Sequence, residues 1–498
     1  MQGKRHRLIV VSNRLPYVFH RDNGGWRIEP GSGGLVSALL PVLRNRGGTW
    51  IGWTGAPDRC DALEAILAET SAEAGYTLQP VHLDAQQVHD FYHGFSNEIV
   101  WPLFHDLQSL CNFEPRYWRA YCDVNRAFAR VIMDNCAEQD FVWVHDYHLM
   151  NVAADLRKMG FTARIGFFLH IPFPPLDLFV KLPWCGRLIR ALLEYDLVGF
   201  QTARDRRNFV QCVKALASDA QIYGKGQVVT AVIGAREVRI GSFPIGIDYN
   251  AFLRHSATPQ VAAKSQELHA LLPKRRLVLG IDRLDYTKGI PHRLNAFHDL
   301  LSRHPNLREK ISLIQVVVPS RVDISDYNEL KTTIEQMVGR INGEFVRPGG
   351  WVPIWYVYGS LTRTDLLAYY RAADIALVTP LKDGMNLVAK EYCASSIEED
   401  CVLILSEFAG AAEQLGRGAL LVNPYDIEGV ADALLHAYEM DAAERRGRMR
   451  SMRRSIRKYD VFWWVDSFLD AAFATDLSNF PLPDQYVADT IEDRLVPD

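Results

Sequence analysis

The sequence lacks the long apolar segments that mark membrane and secreted proteins. Among its 498 residues, candidate apolar runs such as Leu8–Val11 and Ile314–Val318 have the length of β-strands and are far too short to span a bilayer. The basic stretch Met1–Arg7 is followed by only four apolar residues, too few for the core of a signal peptide. We therefore expect neither a membrane-spanning helix nor a secretory signal.

Cysteine is also scarce, and charge is balanced. Eight cysteines are spread along the chain without a Cys-x-x-Cys pair, which predicts reduced thiols and a cytoplasmic location. The net charge of −4 creates no field that would attract nucleic acid or an anionic membrane. The densest basic run, Arg445–Lys458, is predicted to be an exposed helix face rather than a nucleic-acid site. The expected partners are small molecules, and a homo-oligomer is left open.

What the sequence does contain is a regular alternation of strands and helices. Short β-rich runs such as Phe141–His145 and Ile311–Pro319 alternate with helical patterns, which predicts parallel sheets covered by helices on both faces. Single cores stop growing near ~250–300 residues, so two domains are expected. The pattern restarts after Phe243–Ile247. We predict an α/β protein with two doubly wound, Rossmann-like domains, 1–246 and 247–460, facing a central cleft.

Polar residues follow several predicted strands in the first half. Arg14 follows the first strand, while Gly33 and Gly34 precede a helix whose free N–H groups can approach an anion. A plain turn with a surface arginine explains this loop equally well. Asp146 follows the strand Phe141–His145, which indicates an acceptor for a substrate hydroxyl.

Two histidine patterns admit alternative interpretations. His145 and His148 would suit a metal pair, but no third ligand stands at a recognisable spacing. His170 ends another strand and precedes the turn Ile171–Pro174, which would aim its ring at the cleft. A core histidine with satisfied hydrogen bonds is the alternative.

The second half carries a stronger signal. Arg283 and Lys288 flank a tight turn between a strand and a helix, and two cations there indicate a diphosphate site, with plain surface charge as the alternative. Asp383 precedes a helix predicted to begin near Asn386, and Glu391 lies roughly two turns further on. One of these carboxylates suits sugar hydroxyls, and the other suits a ribose diol.

Three further residues are candidates for a second substrate. Arg321 is another cation at a predicted strand end. Tyr92 and Trp101 can line a sugar pocket, because aromatic rings stack on apolar sugar faces, although core packing explains their spacing better.

Together these segments resemble the trehalose-phosphate synthase family. Each match is modestly specific, but the ordered set is very specific and extends from the first strand to about residue 470. The matches are Val11–Pro16, Ser32–Leu35, Trp50–Trp53, Ser96–Asn97 with Trp101–Pro102, His145–His148, His170–Pro174, Asp282–Tyr286 with Lys288–Gly289, Arg340–Gly343 and Asp383–Glu391.

The resemblance implies a GT-B fold and transfer of glucose from UDP-glucose to glucose 6-phosphate with anomeric retention. It also implies that the segment 461–498 is a helix and tail returning to the first domain. The residues implied in catalysis are Asp146, His170, Arg283, Lys288 and Asp383. Those implied in donor binding are Gly33, Gly34, Arg283, Lys288, Leu361, Asp383, Gly384, Met385, Asn386, Leu387, Val388, Ala389, Lys390 and Glu391. Those implied in acceptor binding are Arg14, Tyr92, Trp101, Asp146 and Arg321.

The resemblance further implies that no cofactor and no strictly required metal take part. In the family's mechanism the departing phosphate accepts the acceptor's proton, and the protein supplies positioning and cationic stabilisation. Leu361 stands where some relatives have a bulkier aromatic residue near the nucleobase, so UDP, GDP and ADP stay open as the donor nucleotide. Met385 also fits as core filling.

Two alternative functions share part of this pattern. A glucosylglycerol-phosphate synthase would use glycerol 3-phosphate with ADP- or UDP-glucose, and Ile456–Tyr459 with Trp463 and Trp464 is similar to that group. The intact Asn13–Arg14 and Ser96–Asn97 favour the sugar phosphate instead. A non-catalytic sugar-phosphate sensor should have lost the donor residues that this chain retains.

Overall fold

A computed structural model describes residues 7–22, 25–31, 34–56, 61–320, 325–346, 350–475, 477 and 480. The chain divides into two compact units. Unit 1 comprises Met1–Ile245 with Val461–Leu482, and unit 2 contains Gly246–Asp460. Each unit is built around its own sheet, as the alternating pattern of the sequence predicts.

Unit 1 contains eleven strands among its described residues. Nine of them form one sheet in the order β5-β4-β1-β6-β7-β8-β11-β10-β9, and β2 and β3 form a separate antiparallel hairpin. The strands are β1 (Leu8–Arg14), β2 (Tyr17–Asp22), β3 (Gly25–Pro30), β4 (Thr49–Trp53), β5 (Thr77–Val81), β6 (Phe141–His145), β7 (Arg164–Phe168), β8 (Leu197–Phe200), β9 (Gln221–Tyr223), β10 (Val228–Ile233) and β11 (Arg236–Ser242).

The strand order of unit 1 locates a ligand site. β1 pairs in parallel with β4 on one side and β6 on the other, and its residues before Arg14 are buried. After β1 the chain builds outward through β4 and β5, then returns to the opposite side of β1 with β6. This reversal is a topological switch point, and ligands bind in the crevice outside the carboxyl ends of the strands that flank such a point.

The segment 218–238, to which the sequence assigns no role, supplies the antiparallel edge of this sheet. β10 pairs antiparallel with both β9 and β11, while β11 pairs in parallel with β8. The hairpin therefore extends the parallel sheet without a further helical crossover.

Helices cover both units. Those of unit 1 are α1 (Gly34–Arg46), α2 (Asp61–Ala74), α3 (Ala85–Gln87), α4 (Trp101–Phe104), α5 (Pro115–Asn135), α6 (Val152–Lys158), α7 (Leu176–Phe179), α8 (Cys185–Leu192) and α9 (Ala203–Leu216), with a π-helix over Val88–Val100. Those of unit 2 are α10 (Tyr249–Ser256), α11 (Pro259–Leu271), α12 (Ile290–Arg303), α13 (Ser325–Phe345), α14 (Arg363–Ala372), α15 (Leu387–Ser395), α16 (Ala412–Leu415), α17 (Ile427–Glu439) and α18 (Ala442–Lys458).

Unit 2 has a fully parallel sheet among its described residues. The order is β14-β13-β12-β15-β16-β17, with the switch point between β12 and β15. The strands are β12 (Arg276–Arg283), β13 (Ile311–Val318), β14 (Ile354–Tyr358), β15 (Ile375–Val378), β16 (Val402–Ser406) and β17 (Leu420–Val422). Together with unit 1, this arrangement confirms the predicted fold class of two Rossmann-like α/β domains.

A final helix, α19 (Val461–Phe473), belongs to unit 1. Phe468 stacks on Trp143 with ring centroids 4.4 Å apart. A Cβ on Gly166 would lie 2.8 Å from the Phe468 ring, and one on Gly199 would lie 2.7 Å from it. The two glycines therefore allow α19 to lie directly on β7 and β8.

The arginine-rich run is not simply an exposed face, which corrects the prediction for Arg445–Lys458. Within α18, Arg445 and Arg453 are buried. Arg445 pairs with Asp400 at 2.8 Å, and Arg453 donates to the carbonyl oxygen of Cys393 at 2.9 Å near the end of α15. These arginines serve packing inside unit 2, because helix C-termini have carbonyls that need donors.

Within the described ranges, no helix is both long and apolar enough to cross a bilayer.

Candidate active site

The switch point of unit 1 carries an exposed cation on an aromatic surface. Arg14 ends β1, and its guanidinium carbon lies 4.1 Å from the ring centroid of Trp53 and 5.7 Å from that of Tyr92. Gly55 has a φ of +91°, and a Cβ there would collide with the Arg14 guanidinium. Arg14 is thus oriented by ring stacking and by a glycine, an arrangement suited to binding an anion.

Tyr92 is supplied by the π-helix. It stacks on His148 with the ring centroids 5.8 Å apart, and its carbonyl oxygen accepts from Asn97 Nδ2 at 2.7 Å. Asn97 in turn accepts from the Tyr147 hydroxyl at 3.1 Å. π-Helices are rare and occur frequently at functional sites. Here the wider helical turn places Tyr92 beside Arg14.

Trp101, at the start of α4, is buried and packs against His105 and Tyr147, with ring centroids 4.3 and 5.8 Å away. Its packing joins it to the same aromatic group as Tyr92, through Tyr147. Gly33 and Arg321 lie outside the described residues, and Gly34 begins α1.

Asp146 follows β6 with an unusual backbone conformation. Its φ of 75° and ψ of 167° lie in a region that only glycine adopts readily. Its carboxylate accepts the backbone N–H of His170 at 3.2 Å, and its own N–H donates to Phe168 at 2.8 Å. Such strain is concentrated at functional sites, so the geometry favours a substrate-facing role for Asp146.

The His170 ring lies against the His145 ring, with Nε2 and Nδ1 3.2 Å apart. Burial lowers the pKa of His170 to about 3 and that of His145 well below its usual value. Both rings are therefore neutral at pH 7. In the part of the chain that the structure describes, no group of three His, Cys, Asp or Glu side chains is arranged to hold a metal ion.

The switch point of unit 2 joins two residues that are far apart in sequence. Lys288 Nζ lies 2.6 Å from Asp383 Oδ2, and both side chains are largely buried. Gly289, with a φ of 64°, ends the turn that carries Lys288. Arg283 ends β12, is exposed, and makes no ion pair among the described residues. Two cations, one paired and one open, therefore lie at the carboxyl end of β12.

The loop before α15 is tightly held. Asn386 has a φ of 76°, caps α15 by accepting from the N–H of Ala389 at 3.1 Å, and donates to Asp383 at 3.2 Å. The carbonyl oxygen of Met385 accepts from the N–H of Ala411 at 2.7 Å. Gly384 and Met385 are buried, and Leu387 and Val388 are half-buried. The loop from Asp383 to Asn386 thus leads into a helix N-terminus, where anionic or polar groups bind well.

The remaining donor candidates lie along α15 and beside it. Glu391 accepts from the Tyr370 hydroxyl at 2.9 Å, and burial raises the pKa of Glu391. Lys390 is buried, donates to Gln414, and has its pKa lowered by burial to about 7. Leu361 is half-buried in the loop before α14. Of these, Glu391 presents the polar group best suited to a diol.

Several supporting residues were not predicted from the sequence. The Trp53 ring packs against the Arg14 guanidinium, but the sequence identifies Trp53 only as part of a family motif and predicts no role for it. Arg293 forms a buried pair with Asp282 at 2.7 Å and donates to Thr379 at 3.1 Å, which ties β12 to the end of β15. A helical arginine has no local signal for burial, so only the strand order could have suggested it.

Comparisons with known proteins relate the chain to one family. A model of glycosyltransferase family 20 matches residues 6–473. The trehalose-6-phosphate synthase of Mycolicibacterium vanbaalenii is 43% identical over 469 residues, covering 93% of this chain and 95% of that protein. The corresponding protein of Mycolicibacterium smegmatis is 41% identical over 475 residues, covering 94% of this chain and 92% of that protein.

Solved structures similar to this chain are trehalose-phosphate synthases as well. An α,α-trehalose-phosphate synthase (UDP-forming) from Burkholderia xenovorans in complex with glucose-6-phosphate is 35% identical with a TM-score of 0.84, covering 94% of this chain and 100% of that one. A trehalose-6-phosphate protein from E. coli bound with UDP-2-fluoro glucose is 36% identical with a TM-score of 0.82, covering 94% and 99%.

Proposed function

This chain belongs to glycosyltransferase family 20, and we propose that it transfers glucose from UDP-glucose to glucose 6-phosphate, giving α,α-trehalose 6-phosphate and UDP. The observation that carries the proposal is likeness over 94% of the chain to structures bound to glucose-6-phosphate and to a UDP-fluoroglucose. The fold is GT-B, and each unit has polar residues at its own switch point.

In this proposal the residues of unit 2 bind the donor. Arg283 and Lys288 bind the diphosphate, because two cations at the carboxyl end of β12 match its charge. Asp383 and the loop Gly384–Asn386 bind the donor glucose. Glu391 binds the ribose diol, with Leu361, Leu387 and Val388 beside the nucleoside. The contact between Lys288 and Asp383 supports this assignment, because it places the cation and the sugar-binding carboxylate next to each other.

Unit 1 binds the acceptor. Arg14 is proposed to bind the phosphate together with Tyr92, Trp101 and Arg321, and Asp146 to accept from the acceptor's hydroxyls. Two observations support this assignment. The exposed Arg14 guanidinium lies on the rings of Trp53 and Tyr92, and Asp146, which has a strained backbone, follows β6, the strand next to β1.

We propose retention of the anomeric configuration. The acceptor hydroxyl attacks C1 from the face that the diphosphate leaves, forming the new C–O bond as the old one breaks. The departing phosphate oxygen takes the hydroxyl proton, so UDP carries it away. The protein positions the two substrates and supplies positive charge. This charge stabilises the leaving diphosphate more strongly as negative charge builds up on it. No metal is required in this scheme.

We also propose a cytoplasmic location. All seven cysteines of the described residues are free thiols, which suits a reducing compartment.

Product identity tests the function. The protein is incubated with UDP-glucose and either glucose 6-phosphate or glycerol 3-phosphate, while UDP release and product mass are followed. A disaccharide phosphate formed with glucose 6-phosphate alone is the expected result. Product formed with glycerol 3-phosphate alone would contradict the acceptor assignment. Parallel reactions with GDP- and ADP-glucose determine the nucleotide preference. Absence of product with every donor would favour a non-catalytic sugar-phosphate sensor.

A further inference from the structure

The His170 ring is held from both sides by buried polar groups. Its Nε2 lies 3.2 Å from His145 Nδ1, and its Nδ1 lies 3.4 Å from Gln201 Nε2. Gln201 follows β8, and its Oε1 accepts from the backbone N–H of Ile245 at 2.9 Å. The four residues form one chain of hydrogen bonds within unit 1.

The backbone N–H of Ile245 fixes the direction of this chain, because a backbone N–H can only donate. It requires the oxygen of the Gln201 amide at that end, so the amide nitrogen faces His170 and donates to Nδ1. His170 therefore carries its single proton on Nε2 and donates it to His145 Nδ1.

The opposite assignment fails at a specific contact. If His145 donated to His170, the proton of His170 would sit on Nδ1 and face the Gln201 amide nitrogen, which also donates. Rotating the amide would then place its nitrogen against the Ile245 N–H, so that two donors would meet at 2.9 Å. A doubly protonated His170 meets the same obstacle.

In the resulting arrangement His145 carries its proton on Nε2. This atom has no oxygen or nitrogen partner among the described residues, and the ring centroid of Trp143 lies 4.7 Å from the His145 centroid. An aromatic face accepts a weak N–H hydrogen bond. From the other elements packed against His170, Phe168 and Trp464 carry no charge, and Asp146 contacts its backbone N–H.

We infer that Gln201 and His145 are positioning residues that hold His170 neutral, protonated on Nε2 and fixed in orientation. Both ring nitrogens of His170 then hydrogen-bond to protein side chains, so the ring is held neutral in one orientation and does not carry protons. The consequence for turnover rests on the proposed function, whereas the protonation state does not.

Nitrogen NMR tests the protonation state directly. Protein with ¹⁵N-labelled histidine is recorded between about pH 5 and 8, the range in which ordinary histidines titrate. The His170 signals are identified by their loss in His170→Gln. We expect a protonated Nε2, an unprotonated Nδ1 and no titration. A proton on Nδ1, or titration in this range, would overturn the inference.

Variants at Gln201 test the positioning role. Gln201→Glu keeps an acceptor for the Ile245 N–H but faces His170 Nδ1 with another acceptor, so the proton should move to Nδ1. We expect kcat to fall by up to about 100-fold, because a small misplacement at the reacting centre has effects of that size. The KM for glucose 6-phosphate should stay unchanged, and the kcat of the variant should gain a pH dependence that wild type lacks.

Gln227→Glu is the matched control, since Gln227 is another buried glutamine of unit 1 and its amide nitrogen donates to the carbonyl oxygen of Ser242. Its kcat should equal that of wild type. A Gln201→Glu variant with wild-type kcat and pH profile would refute the positioning role. If wild type forms no disaccharide phosphate at all, the proposed function fails, while the histidine spectrum still decides the protonation state.

Discussion

Replacing Lys288 by methionine should weaken both the fold of unit 2 and the transfer reaction. Lys288 Nζ lies 2.6 Å from Asp383 Oδ2, and the two side chains are 11% and 16% exposed. At an effective dielectric constant of about 20, this distance corresponds to roughly 6 kcal/mol of attraction. Desolvation of both groups offsets much of it, but removing Lys288 leaves the largely buried Asp383 carboxylate without this cation, so we expect the free energy of unfolding to fall by roughly 3 kcal/mol.

The effect on catalysis has a separate cause. The lysine charge should matter most when the diphosphate leaves, and removing one preorganised group at such a centre lowers kcat by roughly 100- to 1000-fold. The KM for glucose 6-phosphate should change little, because the proposed acceptor residues lie in unit 1. Thermal denaturation and a UDP-release assay on the same preparation measure both quantities.

A matched control and a double mutant separate the explanations. Lys264 pairs with Asp365 in the same unit, but these side chains are 44% and 31% exposed, so Lys264→Met should change stability by no more than about 1 kcal/mol and leave kcat intact. If Lys288 and Asp383 interact as described, Lys288→Met with Asp383→Asn should be less destabilised than the sum of the single variants, by about 1–3 kcal/mol. A wild-type kcat for Lys288→Met would refute the assigned role.

Four further outcomes are expected. Arg283→Ala should lower kcat roughly 100- to 1000-fold without lowering Tm, because the side chain is exposed; an unchanged kcat in steady-state assays would remove it from the donor site. Gly55→Ala should displace the Arg14 guanidinium and raise the KM for glucose 6-phosphate roughly 10- to 100-fold, the effect of losing a charged hydrogen bond, with the donor KM as internal control. Phe468→Ala should lower the free energy of unfolding by about 3–5 kcal/mol in urea titrations, since the ring is fully buried on β7 and β8; a loss below 1 kcal/mol would contradict that packing. Acidification should destabilise the protein through His170, whose folded pKa of about 3 lies below the unfolded value of about 6.5, so that the unfolded state binds more protons between these values. This contribution is fully present above pH 6.5 and is lost as the pH falls, by about 2 kcal/mol at pH 5; the dependence of Tm on pH should be flatter in His170→Gln than in wild type.

The fold class can be predicted from local patterns of apolar residues, which do not depend on the tertiary structure. Runs such as Leu8–Val11 and Ile311–Pro319 predict buried parallel strands because neither face of such a strand meets water. The first run lies within β1, and the second coincides with β13 except for Pro319, which follows that strand. The sequence does not predict the hairpin of β10 and β11, since its alternation of apolar and polar residues is interrupted; the edge of that sheet is the adjacent strand β9.

The burial of Arg453 shows the limit of reading charge from sequence. A run of arginines on a helix predicts an exposed face, because isolated burial of a guanidinium is unfavourable. In unit 2 the carbonyl oxygens of Cys393 and Ala394 accept from Arg453, and Glu399 lies 3.4 Å from it. These partners come from a segment more than fifty residues away, so the pattern of α18 alone carries no sign of them.

The sequence by itself determined the alternation of strands and helices, the placement of polar residues after strands, and the family whose ordered motifs it carries. These are local properties, because hydrophobic periodicity and turn chemistry depend on neighbours in the chain. Only the tertiary structure decided that Lys288 meets Asp383, that Gly55 makes room for Arg14, and that the Ile245 N–H sets the proton on His170. Each of these depends on strand order and on which backbone donor faces which side chain, and such relations arise only when segments distant in sequence pack together.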